Sequence, residues 1–338
     1  MKKFLLFLIS LLTGIGLFVW ILKYVGWQEI KEAFLVFTGW QGLVIFGLTL
    51  LMALIGNWKW KEILKGEDVK ISFRELFKPY IAGFSIMFLA PILLLAGEVF
   101  RGYVLREKKE IPWSKGMASV LIDRILEWTV NLTIIFLGVL FFLLIIGLPP
   151  IKLLIIFGGV FLFFTGGIGY FYFKTFKGES MVRAILKALG LFRLNQANSI
   201  LDIEKEIFSF FKLKKISMWK SFGISFLRAG VMYLRVWLLI VFLGKEISFL
   251  PVLSILGFTY LAAIIPIPTA LGSHEAIQTF TFNSLGLGAP LAAVFTMIIR
   301  GAELILALVG VIILCRLGVG LIKNKLLKKV DNFANDRY

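Results

Sequence analysis

Two stretches decide the fold of this chain: FLAPILLLAGE, residues 88–98, and AAIIPIPTALGSHE, residues 262–275. Each is a strongly apolar run interrupted by proline and closed by glutamate. Pro91 precedes Glu98 by seven residues, and Pro268 precedes Glu275 by seven. Arg124 then follows Glu98 by 26 residues with Glu127 three beyond it, and Arg300 follows Glu275 by 25 with Glu303 three beyond it. A charge in the bilayer core costs roughly 2.5–3.5 kcal/mol on insertion scales, so embedded charges face a cavity or a partner and carry function. Proline-interrupted apolar segments at matching positions of two halves mark the binding region of a transporter-like protein.

Composition sets the class in which that repeat belongs. The chain has 338 residues, 59% of them hydrophobic, against about 45–50% in an ordinary soluble domain. Apolar runs of about 20 residues, enough to cross a core about 30 Å thick, recur along it. The expectation is an all-α polytopic membrane protein. One cysteine, Cys315, excludes an internal disulfide framework. One histidine, His274, and no GxxxxGK[ST] loop leave neither a metal constellation nor a nucleotide motif, so no cofactor is expected. Residues 4–22 follow Lys2 and Lys3 as a signal sequence would. Their apolar run is too long for one and no small-x-small cleavage site follows, so they read as a retained first helix.

The net charge of +17 is distributed unevenly, and the distribution predicts topology. Lys and Arg number two at the N-terminal tip, six over 57–78, five over 98–116, ten over 174–220 and six over 316–338. The other connections hold only Lys23, Lys31, Lys152 and Lys245. The positive-inside rule puts the rich group, and both termini, in the cytoplasm of a cell (inner) membrane. Spans near 4–22 and 40–56 go out and back. Segment 81–97 lies between two basic loops, so it enters and returns, breaking at Pro91, where a helical hydrogen bond is lost. Segment 117–147 crosses outward to the Leu148-Pro149-Pro150 turn, 151–173 returns, and 219–243 crosses out again. Segment 249–286 is then a second re-entrant hairpin, bent from Pro266-Ile267-Pro268 to Gly272, and 290–315 returns. The expectation is about six full spans plus two re-entrant hairpins in an inverted repeat; the alternative is eight full spans, which would put loop 98–116 outside. The chain reads as one integral-membrane domain over 1–338, with a first half at 1–173, a connection at 174–220 and a second half at 221–338.

Helical spacing says what the embedded charges can do. Arg124 and Glu127 are i,i+3 and Asp123 and Glu127 i,i+4, so the three share a face, as Arg300 and Glu303 do. Glu98 and Glu275 are expected to fold back toward these pairs and form a polar cavity between the repeats. Arginine suits forked recognition of phosphate or carboxylate. The competing reading is a set of static buried ion pairs that fix helix packing, although such pairs are often neutral for stability. Arg228 and Arg235, seven apart, extend the cavity or, for Arg228, reach the inner interface. His274 beside Glu275 is a proton relay or a helix cap. Trp20, Trp27, Trp40, Trp58 and Trp60 fall at span ends, as interfacial aromatics do. In the connection, 181–192 and 200–211 have amphipathic helical spacing suited to the inner membrane surface.

The stretch LAGEVFRGYVLREKKEIPWSKGMASVLIDRILEW, residues 95–128, resembles the GE-x-x-R segment and charged helix of the integral-membrane lysylphosphatidylglycerol synthase/flippase-like family. The stretch IPIPTALGSHEAIQTF, residues 265–280, resembles that family's second proline-glycine-glutamate segment, with Thr269-Ala270-Leu271 where glycines are usual. Lysyl-lipid synthesis in the family requires a soluble aminoacyl-transferase domain, which these residues do not resemble. The resemblance therefore implies the membrane part: binding and translocating a lipid with a charged headgroup between leaflets. In this reading Arg124 and Arg300 hold an anionic headgroup, Glu98 and Glu275 balance them, and Arg101 guides headgroups in from the inner interface. Asp123, Glu127, His274 and Glu303 complete the set. The partner is a membrane phospholipid or another lipid with a charged headgroup. Nucleic acid is not expected, and oligomeric state stays open. The alternative is a membrane-embedded enzyme or accessory protein acting on lipid headgroups, with His274 and Glu275 as acid and base.

Overall fold

The structure, a computed structural model, describes residues 28, 31, 39–89, 95–147, 151–183, 197–264 and 272–335. The first helix expected at 4–22, Pro91, the 148–150 turn, most of 181–192, Pro266, Pro268 and residues 269–271 lie outside the described residues, as do Trp20 and Trp27. Among the described residues every regular element is a helix. The first half holds α1 (Gly39–Gly66), α2 (Phe73–Leu89), α3 (Ala96–Lys109), α4 (Trp113–Ile146) and α5 (Ile151–Lys177). The connection holds α6 (Ala197–Phe210). The second half holds α7 (Ile216–Phe242), α8 (Phe249–Ala263), α9 (Ser273–Ser284) and α10 (Ala289–Asn335).

Local chemistry sets these boundaries. Ser72 and Glu75 cap α2 reciprocally: Ser72 Oγ donates to Glu75 Oε2 at 2.8 Å and accepts from Glu75 N at 3.4 Å, satisfying N–H groups that a helix start leaves orphaned. Glu110, in the left-handed region, ends α3, and Pro112 leads into α4 with its fixed φ. Gly147, at φ +93°, ends α4. Four described helices, α1, α4, α7 and residues 289–318 of α10, are long and apolar enough to cross a membrane, so the protein is multi-pass. By contrast α2, α3, α8 and α9 have 17, 14, 15 and 12 residues. At 1.5 Å per residue these reach only about 18–26 Å, short of a core about 30 Å thick.

The packing of the halves is reciprocal. α1 lies along α7, α4 of the first half packs on α8 of the second, and α10 of the second packs on α2 of the first. Within each half the second short helix packs on its own long helix, α3 on α4 and α9 on α10. Small residues permit two of these cross-half contacts. A Cβ on Gly138 of α4 would lie 2.7 Å from the Leu253 carbonyl oxygen of α8, and one on Gly310 of α10 would lie 2.5 Å from the Ile81 carbonyl oxygen of α2. In membranes, where lipid is as apolar as leucine, such close backbone approach is a main source of helix affinity. One apolar cluster draws Ile45 and Met52 from α1, Val130 and Ile134 from α4, Val236 from α7, Ile255 from α8, Phe282 from α9 and Phe295 from α10.

Two sequence expectations need correction. Trp60 is not interfacial: it is fully buried, with Nε1 donating to Ser119 Oγ at 3.1 Å. The apolar face of α6 is taken up by protein rather than left for lipid. Ile207 and Phe210, with Phe211 just beyond the helix, pack with Ile63 of α1, Ala118, Ile122 and Leu126 of α4, and Met218 of α7. The helix thereby closes the basic ends of three spans.

Candidate functional site

The site is built on the crossing of α2 and α3. Gly83 and Gly97 meet there so closely that a Cβ on Gly97 would lie 2.3 Å from the Gly83 carbonyl oxygen. That contact presses α3 inward and turns Glu98 and Arg101, one helical turn apart, onto α4. Adjacent residues of α4 receive them: Glu98 pairs with Arg124 Nε, and Arg101 Nη1 donates to Asp123 Oδ2 at 2.9 Å. Because each ion pair joins an acid on one helix to a base on the other, the two pairs are crossed and fix the register of α3 on α4.

Further charges surround this crossing. Lys59 of α1 lies 2.8 Å from Asp123 Oδ1. Arg124 Nη1 donates to Glu127 Oε2 at 3.0 Å, and the other Glu127 oxygen takes Arg228 of α7. The Arg101 guanidinium lies against two rings, with Cζ 4.0 Å from the Trp60 ring centroid and 4.9 Å from that of Tyr80. This cation–π stacking holds the charge where water is scarce. A small cavity of about 20 Å³ is lined by Tyr80, Gly83, Met87, Glu98, Arg101, Asp123, Arg124, Glu127 and Arg228, among others. Arg101 is only 4% exposed and forms part of the cavity wall.

The second half carries a related but differently wired cluster. Arg300 Nη1 donates to Glu303 Oε2 at 2.9 Å, and Arg235 Nη2 to Glu303 Oε1 at 3.0 Å. Arg235 is fully buried and also donates to Thr49 Oγ1 of α1 at 2.9 Å. Arg300 stands eleven residues into α10, as Arg124 does into α4, about 16 Å from either helix start. The two arginines thus sit at the same depth from the beginnings of their helices. Unlike Glu98, Glu275 forms no ion pair among the described residues: its Oε2 accepts from Gly272 N at 2.6 Å, closing the start of α9. His274 is buried beside it, its Nε2 without a hydrogen-bond partner. Among the described residues no group of His, Cys, Asp and Glu could hold a metal ion.

A family model described as the lysylphosphatidylglycerol synthase TM region matches residues 7–310. The chain belongs to this family. It is 24% identical over 300 residues to a UPF0104 membrane protein of Methanocaldococcus jannaschii, covering 85% of this chain and 87% of that one. It is also 24% identical over 327 residues to a UPF0104 membrane protein of Pyrococcus horikoshii, covering 89% and 92%. No solved structure matches the chain.

In this member of the family, then, the structure brings Glu98, Arg101, Asp123, Arg124 and Glu127 around one cavity, and Arg300 and Glu303 into a second cluster. It holds Glu275 at a helix cap instead of against Arg300. Reasoning from sequence missed Lys59 and Tyr80. Lys59 falls in a basic segment that reads as a cytoplasmic loop, yet α1 continues through it and buries it. Its tryptophan neighbours, Trp58 and Trp60, were the available hint. Outside the spans, the Lys109 ammonium and Ser72 draw exposed Glu75 down to about 2, which ties the start of α2 to the end of α3.

Proposed function

We propose that this protein binds a lipid with a charged headgroup and translocates it between the leaflets of the cell membrane. The observation that carries the reading is the charged cavity between the α2–α3 pair, α4 and α7: six charged side chains line it, and a seventh, Lys59, pairs with one of them, Asp123. A purely structural network would gain more by filling that space, since buried ion pairs are often replaceable by apolar packing without loss. The shortness of α2, α3, α8 and α9 supports their acting as two re-entrant hairpins, inserted from opposite sides, that gate the cavity. The basic ends of the helices support cytoplasmic termini. α7 links the two clusters, Arg228 to the first and Arg235 to the second, so movement of one hairpin can be felt at the other.

The test is leaflet exchange of a fluorescent phospholipid in proteoliposomes, with the extent of quenching by an impermeant reductant as readout. Exchange by the parent protein, lost in Glu98→Gln and in Arg124→Gln variants that still insert and purify, is the expected result. Exchange no faster than in protein-free vesicles for every lipid tried would refute the reading.

A further inference from the structure

We infer that the cavity is built to take a monoanionic phosphodiester and to reject a headgroup that carries an added ammonium. The inference rests on the lipid-binding reading above and names the chemistry of that site. Each cavity carboxylate already faces a cation: Glu98 has Arg124, Glu127 has Arg124 and Arg228, and Asp123 has Arg101 and Lys59. Asp123 Oδ1 is out of hydrogen-bond alignment, but Lys59 Nζ lies 2.8 Å away and meets its charge. Arg124 is committed too, its three nitrogens directed at Glu98, Glu127 and Met87 Sδ. Arg124, which the spacing of charges singled out as the headgroup clamp, is therefore an organiser of the wall.

What remains open in the buried wall is donor capacity. Arg101 Nε, Arg101 Nη2 and Arg228 Nε are buried without a hydrogen-bond partner. Arg101 and Arg228 both line the cavity, so a ligand held there is the partner these donors lack. An unpaired buried donor is costly, and a charged one more so, which favours an anion that completes it. Formal charge agrees: Lys59, Arg101, Arg124 and Arg228 stand against Glu98, Asp123 and Glu127, so the cluster carries one unbalanced positive charge. One negative charge neutralises it. An aminoacylated headgroup would bring a further ammonium into a site whose carboxylates are already taken.

Binding to the purified full-length chain in lipid nanodiscs, followed by displacement of a fluorescent lipid, tests this without transport. Phosphatidylglycerol is expected to outcompete lysyl-phosphatidylglycerol by at least about tenfold, in keeping with the strength of charge-assisted hydrogen bonds. Arg101→Lys keeps the charge but loses the fork, and should shrink that ratio. Soluble glycerophosphoglycerol supplies the same diester without acyl chains and should compete far more weakly. Equal competition by the soluble diester would overturn the lipid assignment. Lysyl-phosphatidylglycerol binding as well as phosphatidylglycerol would overturn the inference. Should Arg101→Lys not fold, the ranking on the parent protein decides alone. Selective binding without leaflet exchange would sink translocation but keep the site; exchange of all headgroups alike would do the reverse.

Discussion

Substituting Gly97 with alanine asks whether the α2–α3 crossing sets the site. The added Cβ would lie 2.3 Å from the Gly83 carbonyl oxygen, where ordinary contact begins at 3.4 Å. Backbone cannot rotate aside, so the helices must part by about 1 Å. Overpacking of this kind costs about 1–3 kcal/mol, offset by no more than about 1 kcal/mol from alanine's better helix propensity. The net loss is about 1–2 kcal/mol, with α3 displaced from α4. That displacement stretches the Glu98–Arg124 and Arg101–Asp123 pairs together, since both residues ride on α3. Thermal unfolding in detergent should show a lowered midpoint, and leaflet exchange should fall by about tenfold or more, as misplacements near 1 Å do at precisely positioned sites. Gly158→Ala on α5 is the control. Nothing lies within 4 Å of its Cβ position, so stability should hold or rise and exchange should not change. Parental stability and exchange in Gly97→Ala would refute the argument that backbone contact at this glycine positions the charges.

Three other predictions follow from the same contacts. Arg300→Met/Glu303→Leu leaves Arg235 buried without its carboxylate; stranding a buried charge costs about 3–5 kcal/mol, so this double variant should unfold early, and parental stability and exchange in it would end the role of the second cluster. In a Cys315→Ala background, a cysteine replacing Lys108 should react with impermeant maleimide only from the cytoplasm and one replacing Gly244 only from outside; external labelling at 108 would mean that the α2–α3 segment crosses the membrane. Burial, with the Glu206 carboxyl beside it and against the pull of Lys215, pushes Glu67 up to about 7. The folded state therefore holds a proton that the unfolded state has released, and the Glu67 contribution weakens as pH rises from about 4.5 through 7; amide exchange across α6, corrected for intrinsic rate, should quicken over that window, and Glu67→Gln should flatten the change.

The membrane class, the all-helical architecture and the family were legible in the sequence because each rests on local properties. Apolar run length answers to bilayer thickness, and i,i+3 spacing puts Arg124 with Glu127 and Arg300 with Glu303 whatever the chain does elsewhere. Which charge meets which was decided only by the tertiary structure. Glu98 and Glu275 occupy equivalent places in the repeat, yet the first pairs with Arg124 while the second closes the start of α9 on Gly272. Lys59 looked like a loop residue and became the counter-charge of Asp123; Arg235 bridges α1, α7 and α10. Periodicity places a side chain on a face of its own helix. Its partner depends on which helix arrives opposite, at what depth, and how closely glycines such as Gly83 and Gly97 allow the backbones to approach.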